Sequence, residues 1–415
     1  MVDVIVIGGG AAGLFAAVVA AERGRSVLVL EPNEKLGRKL RITGKGRCNI
    51  TNDCTVQEVI AATPTGGKFL QSAMHGLPPQ AAMAFFERLG VPLKTERGRR
   101  VFPVSDSAND VAFSLERRLR QMGVEIRRVR AERILTEDGS SESAEAASVY
   151  GVELEGGEVL RCGAVILATG GVSYPATGST GDGYAMARKL GHTIVEPRGS
   201  LVPLVSPDEF CARMQGLALR NVAVRVFDGR KKPIYEDFGE LLFTHFGVSG
   251  PIALSASAHM RDFAKKSYTM CIDLKPALDE DALDKRLLRD FEEFKNREFR
   301  NALGGLCNRL MIPVVVARSG IEPGKQVNSI TREERQELLR LLKNFEVRIS
   351  GPRPVDEAVI TSGGVETREI VPGTMASKLV RGLHFAGEII NADAYTGGFN
   401  LQIAWATAFA AGGAV

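Results

Sequence analysis

The chain of 415 residues lacks the cysteine patterns of redox-active dithiols and of metal sites. It has six cysteines, and no two of them form a Cys-x-x-Cys pair or show the spacing of metal ligands. They are Cys48, Cys54, Cys162, Cys211, Cys271 and Cys307. This scatter predicts no metal site and favours reduced thiols in a cytoplasmic protein.

Long apolar runs and a strong excess of one charge are also absent. No apolar run reaches the roughly 18 residues that span a membrane, and the first seven residues contain no basic region. We therefore expect a cytoplasmic protein without membrane association. Basic residues number 53 against 49 acidic ones, a net charge of +4, so the bulk charge gives no support to a nucleic acid partner. We expect a small-molecule substrate and leave the oligomeric state open.

With 44% hydrophobic residues, a chain of this length is sufficient for two or three domains. Its patterning predicts a discontinuous nucleotide-binding domain over residues 1–195 and 355–415. This domain is interrupted by a barrel-like insert over residues 196–275 and 340–354, which encloses a helical subdomain over residues 276–339. Strands are predicted at residues 2–7, 26–30, 124–130, 149–154, 164–168, 201–205, 222–227, 268–274, 346–349 and 383–387. Helices are predicted at residues 14–23, 80–89, 109–122, 184–190, 279–300, 332–343 and 400–411, with an exposed hairpin or loop at residues 137–147.

The first 31 residues carry the fingerprint of a dinucleotide site. A buried strand is followed by Gly8-x-Gly10-x-x-Gly13, a helix, a second strand and the acidic residue Glu31. Gly8 permits a tight turn, Gly10 lets the backbone approach a pyrophosphate, and Gly13 allows close packing of helix and strand. The helix N-terminus offers N–H groups to phosphate, and Glu31 can bind an adenosine ribose.

Residues 38–52 concentrate cations, glycines and small polar residues just beyond this unit. Such a loop can lie along an extended cofactor and offer it charge and backbone N–H groups. The alternative is a solvated basic loop. Cys48 lies in this loop without a partner cysteine, which favours an ordinary buried thiol over thiol catalysis.

Two further glycine-rich segments follow. Residues 164–171 form a strand that ends in glycines and would place the chain against the cofactor. Residues 178–183 lead into a helix, where they either cradle an anion or form a simple cap with Asp182.

The C-terminal segment predicts the other half of the site. Glu388 and Asp393 lie near a strand end, where carboxylates can bind polyol hydroxyls, and Gly397 and Gly398 open the last helix. If this helix begins at the flavin, its dipole would stabilise the negative charge of the reduced ring.

Together these motifs resemble the aminoacetone oxidase family of FAD-binding enzymes, also described as NAD(P)/FAD-dependent oxidoreductases of the bile-acid-reductase (BaiN/RdsA) type. The resemblance is carried in matching order by residues 42–52, 175–191, 242–251 and 363–402. It implies an α/β fold, namely a glutathione-reductase-like FAD-binding Rossmann-type domain with an inserted β-barrel domain and a small helical subdomain. The family commonly has an acidic residue where this chain has Asn391, so Asp393 is the one carboxylate that residues 391–394 retain.

The motifs and the resemblance together predict the following contacts to FAD: Gly8, Gly10, Ala11, Ala12, Gly13, Glu31, Lys39, Thr43, Gly44, Gly46, Arg47, Cys48, Asn49, Arg130, Ala168, Thr169, Gly170, Gly387, Glu388, Asp393, Gly397, Gly398, Asn400, Leu401 and Gln402.

The expected activity is a two-step flavin oxidoreduction, in which a donor reduces the flavin and a substrate or O₂ reoxidises it. His245 and Tyr395 are the candidate catalytic residues, although a histidine between two aromatic residues is more often structural. The chain lacks a second strand–GxGxxG–helix unit, so NAD(P)H would have to bind transiently. Three hypotheses about the function remain open. They are an NAD(P)H-dependent reductase of an enone-like substrate, a peroxide-forming amine or aminoketone oxidase, and a non-catalytic or tRNA-interacting flavoprotein.

Overall fold

The computed structural model describes residues 1–137 and 147–415. The loop expected at residues 137–147 therefore lies outside the described residues, apart from its two end positions. The chain divides into two compact units. The first unit comprises Met1–Ser200 and Val355–Val415, and the second comprises Leu201–Pro354.

The strands of the described residues are β1 Val2–Ile7, β2 Val27–Leu30, β3 Thr51–Asn52, β4 Leu93–Glu96, β5 Arg100–Pro103, β6 Glu125–Arg127, β7 Ala131–Glu137, β8 Ala147–Leu154, β9 Val159–Leu167, β10 Ile194–Ser200, β11 Leu204–Val205, β12 Ala218–Phe227, β13 Tyr235–Thr244, β14 Gly247–Ser249, β15 Tyr268–Asp273, β16 Phe345–Ile349, β17 Gly351–Pro352, β18 Ile360–Val365, β19 Val380–Arg381 and β20 Leu383–Phe385. The α-helices are α1 Ala11–Glu22, α2 Arg38–Ile42, α3 Val56–Ala61, α4 Gln71–Gly76, α5 Pro79–Arg88, α6 Ala108–Gln121, α7 Asp182–Lys189, α8 Phe210–Arg213, α9 Pro251–Ser257, α10 Glu280–Glu293, α11 Ile312–Arg318, α12 Arg332–Lys343 and α13 Phe399–Ala414. Among these helices, none is long and apolar enough to cross a membrane.

A largely parallel sheet forms the centre of the first unit. Its order is β19-β8-β9-β1-β2-β6, and β20 also pairs with β9. Strand β1 is parallel to both β2 and β9, with Val4 opposite Val27 on one side and Ala164 on the other. Because β1 is flanked on both sides and buried, an apolar run such as Val2–Ile7 is what this position requires.

An aromatic cluster joins helices α1, α5 and α13 of the first unit. The Phe15 ring lies 4.2 Å from Phe85 and 5.5 Å from Trp405, between ring centroids. Trp405 is fully buried, and its indole Nε1 donates a hydrogen bond to the Ile50 carbonyl at 2.9 Å. The C-terminal helix is therefore part of the same core as the first helix, although the two are at opposite ends of the chain.

The second unit contains a seven-stranded antiparallel sheet in the order β16-β15-β12-β13-β14-β11-β17. Its two edge strands, β16 and β17, are separated by Ser350 alone, so chain continuity brings the edges of the sheet together. Helices α10, α11 and α12 belong to this unit. Helix α12 has the bounds predicted from its periodicity and begins with a capping box between Thr331 and Glu334.

One strand prediction in this region was wrong. Residues 201–205 were expected to form one strand, but only Leu204–Val205 does so. Leu201 has a left-handed backbone conformation with φ of 54°, which interrupts the extended chain between β10 and β11. Hydrophobic content alone cannot predict such a residue, because leucine rarely adopts this conformation.

Candidate cofactor site

The candidate site is a cavity in the first unit at the carboxyl edge of its parallel sheet. The residue that follows each of the strands β1, β2, β9 and β20 lies in the cavity wall, namely Gly8, Glu31, Ala168 and Ala386. Ligands of open α/β sheets bind at this edge, because the strand ends leave a crevice there. The predicted contacts that line the cavity are Gly8, Gly10, Ala11, Ala12, Glu31, Lys39, Thr43, Ala168, Thr169, Gly170, Gly387, Glu388, Asn400 and Leu401.

Two glycines of the first turn show why this turn suits a ligand. A Cβ atom added to Gly13 would lie 1.8 Å from the Gly8 carbonyl oxygen, so only glycine permits this approach of helix and strand. A Cβ atom added to Gly10 would have no heavy atom of the described chain within 4 Å. The space beside Gly10 is therefore left open by the fold, at the N-terminus of α1 where a phosphate binds well.

Glu31 is buried at the end of β2 and faces this turn. Its Oε2 accepts a hydrogen bond from the Gly9 amide at 2.8 Å, and its Oε1 accepts from the Asn33 side chain at 2.6 Å. These bonds hold the carboxylate beside the glycine turn, where it can accept hydrogen bonds from ribose hydroxyls.

A second carboxylate of the wall, Glu388, is held by donors from three distant segments. Lys39 Nζ lies 2.6 Å from Glu388 Oε2, and Glu388 Oε1 accepts from Ser173 Oγ at 2.9 Å and from the Thr361 amide at 2.8 Å. Sequence reasoning identified Lys39 and Glu388 but missed Ser173 and Thr361. No local signal marks those two residues, because their role depends on contacts with Glu388 across 215 residues for Ser173 and 27 residues for Thr361.

The loop after α2 has an unusual backbone. Lys45 and Cys48 have left-handed conformations, with φ of 60° and 59°, and Gly44 and Gly46 also have positive φ. Thr43 lines the cavity, whereas Gly44, Gly46, Arg47, Cys48 and Asn49 do not. The strained turn thus presents only its first residue to the cavity.

Two side chains of this loop, those of Arg47 and Cys48, make contacts away from the cavity. Arg47 forms salt bridges to Glu96 and to Asp106. Cys48 is fully buried, and burial raises the pKa of its thiol to about 12. Cys48 is therefore a neutral thiol at ordinary pH, as expected for a packing residue.

At the C-terminal half of the site, α13 begins beside the cavity. Asn400 and Leu401 line the wall, and Asn400 Oδ1 accepts a hydrogen bond from the Ala394 amide at 2.9 Å. Gly397 and Gly398 precede the helix, both with positive φ, and are not part of the wall. Gln402 is fully buried, where its amide binds Thr51 Oγ1 and the Leu77 carbonyl.

Asp393 is fully buried and also lies outside the cavity wall. Its Oδ2 accepts a hydrogen bond from Ser200 Oγ at 2.8 Å, and its Oδ1 has no partner among the described residues. This carboxylate ties the segment before α13 to the end of β10.

A smaller cavity shares the lining residues Gly8, Glu31 and Thr169 with the main one. It is lined by Arg130, Asp182 and Thr169, among others. Arg130 forms a salt bridge to Asp182. Of the two alternatives for residues 178–183, the cap by Asp182 is wrong, because Gly181 is the capping residue of α7. Asp182 is the first helical residue, and its carboxylate accepts a hydrogen bond from Arg130.

The two candidate catalytic residues lie in different units. His245 is exposed on the turn between β13 and β14 in the second unit, where its ring meets Phe246 edge-on at 5.0 Å. Tyr395 is half-buried in the first unit, and its amide donates a hydrogen bond to the Ala62 carbonyl at 2.9 Å.

Two observations test whether the cavity fits an extended dinucleotide. The space at Gly10 is open, as described above, and Thr169 Oγ1 in the wall is buried without a hydrogen-bond partner among the described residues. A buried hydroxyl without a partner costs about 1–3 kcal/mol, so a polar ligand that binds it would be stabilised. The residues present fit FAD, since the glycine turn before α1 and the C-terminal residues Gly387, Glu388, Asn400 and Leu401 line the same cavity.

The parallel sheet, the glycine turn and this two-part wall define the protein as an FAD-binding oxidoreductase with a Rossmann-type domain. The chain belongs to the HI0933-like family, since the family described as "HI0933-like protein Rossmann domain" matches residues 2–414. The resemblance inferred from the four sequence blocks is thereby confirmed, as are the fold class and FAD.

Curated relatives cover nearly the whole chain. A 3-dehydro-bile acid delta(4,6)-reductase from Clostridium scindens is 30% identical over 412 residues, which are 98% of this chain and 97% of the relative. A ribosomal RNA dihydrouridine synthase from Haemophilus influenzae is 28% identical over 412 residues, 98% of this chain and 96% of the relative. A second such synthase, from Escherichia coli, is 29% identical over 411 residues, with the same coverage.

Among solved structures, the fold is similar to that of 3-ketosteroid delta1-dehydrogenase from Sterolibacterium denitrificans. The TM-score is 0.52 and the identity 14%, over 99% of this chain and 98% of that chain. At this identity the likeness concerns the fold alone.

Proposed function

We propose that this protein is an FAD-dependent reductase that saturates a carbon–carbon double bond conjugated to a carbonyl group, with NAD(P)H as the electron donor. The names of the relatives support this choice of bond. Making dihydrouridine from uridine saturates a double bond conjugated to the C4 carbonyl, and a 3-dehydro-bile acid delta(4,6)-reductase acts on double bonds conjugated to a 3-oxo group. The two substrates differ in size and charge but share this reacting group.

The observation that carries the proposal is the composition of the cavity wall. Its glycine turn and its C-terminal segment come from the two ends of the chain. Both lie within residues 2–414, which the family model matches. When bound there, FAD would supply the hydride chemistry that the reduction of such a bond requires.

The chain's own residues would hold the cofactor as follows. The N–H groups at the start of α1, beside Gly10, would bind the pyrophosphate, and Glu31 would bind the adenosine ribose. Lys39 and Glu388 would bind polar groups in the middle of the cofactor, since both line the wall. The N-terminus of α13 would stabilise negative charge on the ring system.

Saturation of the double bond also requires a proton. Hydride addition leaves an enolate, which must be protonated at carbon, and a positioned acid accelerates such a step by about 10²–10⁴-fold. We propose His245 and Tyr395 as the candidates for this acid. Replacing each in turn, as His245→Gln and Tyr395→Phe, should slow the oxidation of the reduced protein by substrate and leave its reduction by NAD(P)H unchanged.

The proposal is tested by anaerobic mixing of the purified yellow protein with NADH and with NADPH, while flavin absorbance is followed. Bleaching by one of them, followed by recovery of colour on addition of uridine, an RNA or a 3-oxo-4-ene steroid, is the expected result. Bleaching by an amine or aminoketone instead, with hydrogen peroxide formed on admission of O₂, would show an oxidase. Absence of bleaching by any donor would show a protein without turnover.

A further inference from the structure

The second unit contains a basic cleft that the proposed cofactor chemistry does not use. Two loops form it: residues 228–234, between β12 and β13, and residues 259–268, which follow α9 and lead into β15. The cleft has a volume of about 610 Å³ and is lined by Arg230, Lys231, Lys232, Lys266 and His259, with Asp228 as its acidic residue.

The buried carboxylate of Asp228 holds two of the cations of the cleft in fixed positions. Its side chain is 1% exposed. It receives a bidentate pair of hydrogen bonds from Arg230, both at 2.8 Å, and a third from Lys266 Nζ at 2.8 Å. These contacts hold the pKa of the Asp228 carboxyl below its ordinary value, with the Arg230 hydrogen bond as the largest cause. The carboxylate is thus already saturated, and the two cations it holds are fixed at the surface.

Lys231 and Lys232 complete the cleft. Both side chains are exposed, and neither forms an ion pair with a described residue. Together the two loops contain six lysines and arginines against two carboxylates, a local excess as large as the +4 of the whole chain. The sequence pattern Arg230-Lys231-Lys232 was visible, but its convergence with Lys266, more than thirty residues away, is a property of the fold.

The form of the cleft indicates the ligand. Fixed and exposed cations at neighbouring positions suit an extended polyanion, which gains affinity by releasing counterions along its length. A membrane surface fits less well, because none of the exposed large hydrophobic side chains of the described residues lies in these two loops. Two of the curated relatives are named for action on ribosomal RNA.

We propose that this cleft binds the phosphodiester backbone of an RNA whose base is the substrate of the reductase. The assignment rests on the proposed function, since reduction of a base is what brings an RNA to this protein. The proposal also replaces the expectation, drawn from the bulk charge, that the protein has no nucleic acid partner. The net charge of the chain does not reveal a local cluster of cations.

The test measures binding of a fluorescein-labelled single-stranded RNA, and of a ribosomal RNA transcript, to the full-length flavoprotein by anisotropy at several salt concentrations. The variant is Lys231→Gln with Lys232→Gln. At 0.1 M salt its affinity should be weaker on the order of tenfold, and the slope of log K against log[salt] should fall by about 1.4, which is two contacts at about 0.7 each. The matched control is Lys285→Gln with Arg289→Gln on α10, which removes the same charge from the same unit and should bind like the wild type.

Equal affinity and slope for the cleft variant and the wild type would overturn the proposal. So would a rise in the KM for NADPH in that variant with RNA binding unchanged, since the cleft would then serve the donor. A wild-type protein that reduces a steroid enone but binds neither RNA would also overturn it. Because RNA binding is measured without NAD(P)H and flavin bleaching without RNA, failure of the cleft and failure of the reductase proposal are distinguishable.

Discussion

Lys39 Nζ and Glu388 Oε2 lie 2.6 Å apart in the wall of the candidate cofactor site, although 349 residues separate them in the chain. Their side chains are 22% and 12% exposed, so the pair is largely withdrawn from water. A pair of this kind keeps its geometry only if its other hydrogen-bonding groups are satisfied, and Ser173 and Thr361 do this for Glu388. The contact therefore links the two halves of the site directly.

This link predicts energetic coupling between Lys39 and Glu388. In the single variants Lys39→Met and Glu388→Gln a largely buried group loses its charged partner, whereas the double variant removes both charges. Urea unfolding of the four flavin-free proteins should give a coupling free energy of about 1–2 kcal/mol. Strictly additive effects would mean that Lys39 and Glu388 do not interact energetically.

The glycine turn predicts that a substitution at Gly10 abolishes FAD binding while the protein still folds. Gly10→Val places its side chain in open space, and the Gly10 backbone is extended, with φ of −83°. Because Gly10 is the N-cap residue of α1 and valine is a poorer cap, the flavin-free variant should lose about 1 kcal/mol of stability and still fold. It should nevertheless be isolated colourless, because the side chain occupies the space proposed for the pyrophosphate.

Gly13→Ala is the contrasting variant in the same turn. Its methyl group would meet the Gly8 carbonyl oxygen at 1.8 Å, so we expect a loss of stability of about 3 kcal/mol or more and little soluble protein. Stoichiometric FAD in purified Gly10→Val, measured by absorbance after denaturation, would contradict the proposed position of the pyrophosphate.

Two buried histidines predict a loss of stability in acid. Burial lowers the pKa of His192 and of His384 below the ordinary value of 6.5. The unfolded chain therefore binds more protons than the folded chain as the pH falls through that value, so their contribution is complete above about pH 6.5 and is lost below it. The free energy of unfolding should decrease between pH 7.5 and pH 5.5, and it should decrease more weakly in His192→Gln.

The hydrogen bonds of Asp228 with Arg230 and Lys266 predict an effect on RNA affinity opposite to that expected from net charge alone. Asp228→Asn adds one positive charge to the cleft but releases Arg230 and Lys266 from their fixed positions. We expect RNA affinity to fall roughly threefold or more, because ordering each freed side chain costs about 0.5–1.5 kcal/mol. Asp262→Asn makes the same charge change in the second loop but leaves the contacts of Asp228 with Arg230 and Lys266 in place, so it should not weaken binding. Tighter binding by Asp228→Asn would show that the fixed geometry is unimportant.

Several elements were predictable because their signals are local. The β-branched run Val2–Ile7 and the periodic helix Arg332–Lys343 have the predicted bounds. Elsewhere the local signal was incomplete. Strand β13 was not predicted, and the helix expected over residues 279–300 ends at Glu293. A residue such as Leu201, whose conformation depends on its surroundings, carries no such signal.

The sequence by itself determined the class of this protein, because the strand, glycine turn and helix of a dinucleotide site are read from neighbouring residues. Only the tertiary structure decided which residues of those motifs line the cavity. Within the loop after α2, Thr43 reaches the wall while Cys48 is packed in the core. It also decided that Lys39 meets Glu388 and that two basic loops share one cleft. Such pairings depend on closing long loops around a common core, and residue order carries no direct record of which distant side chains that core brings together.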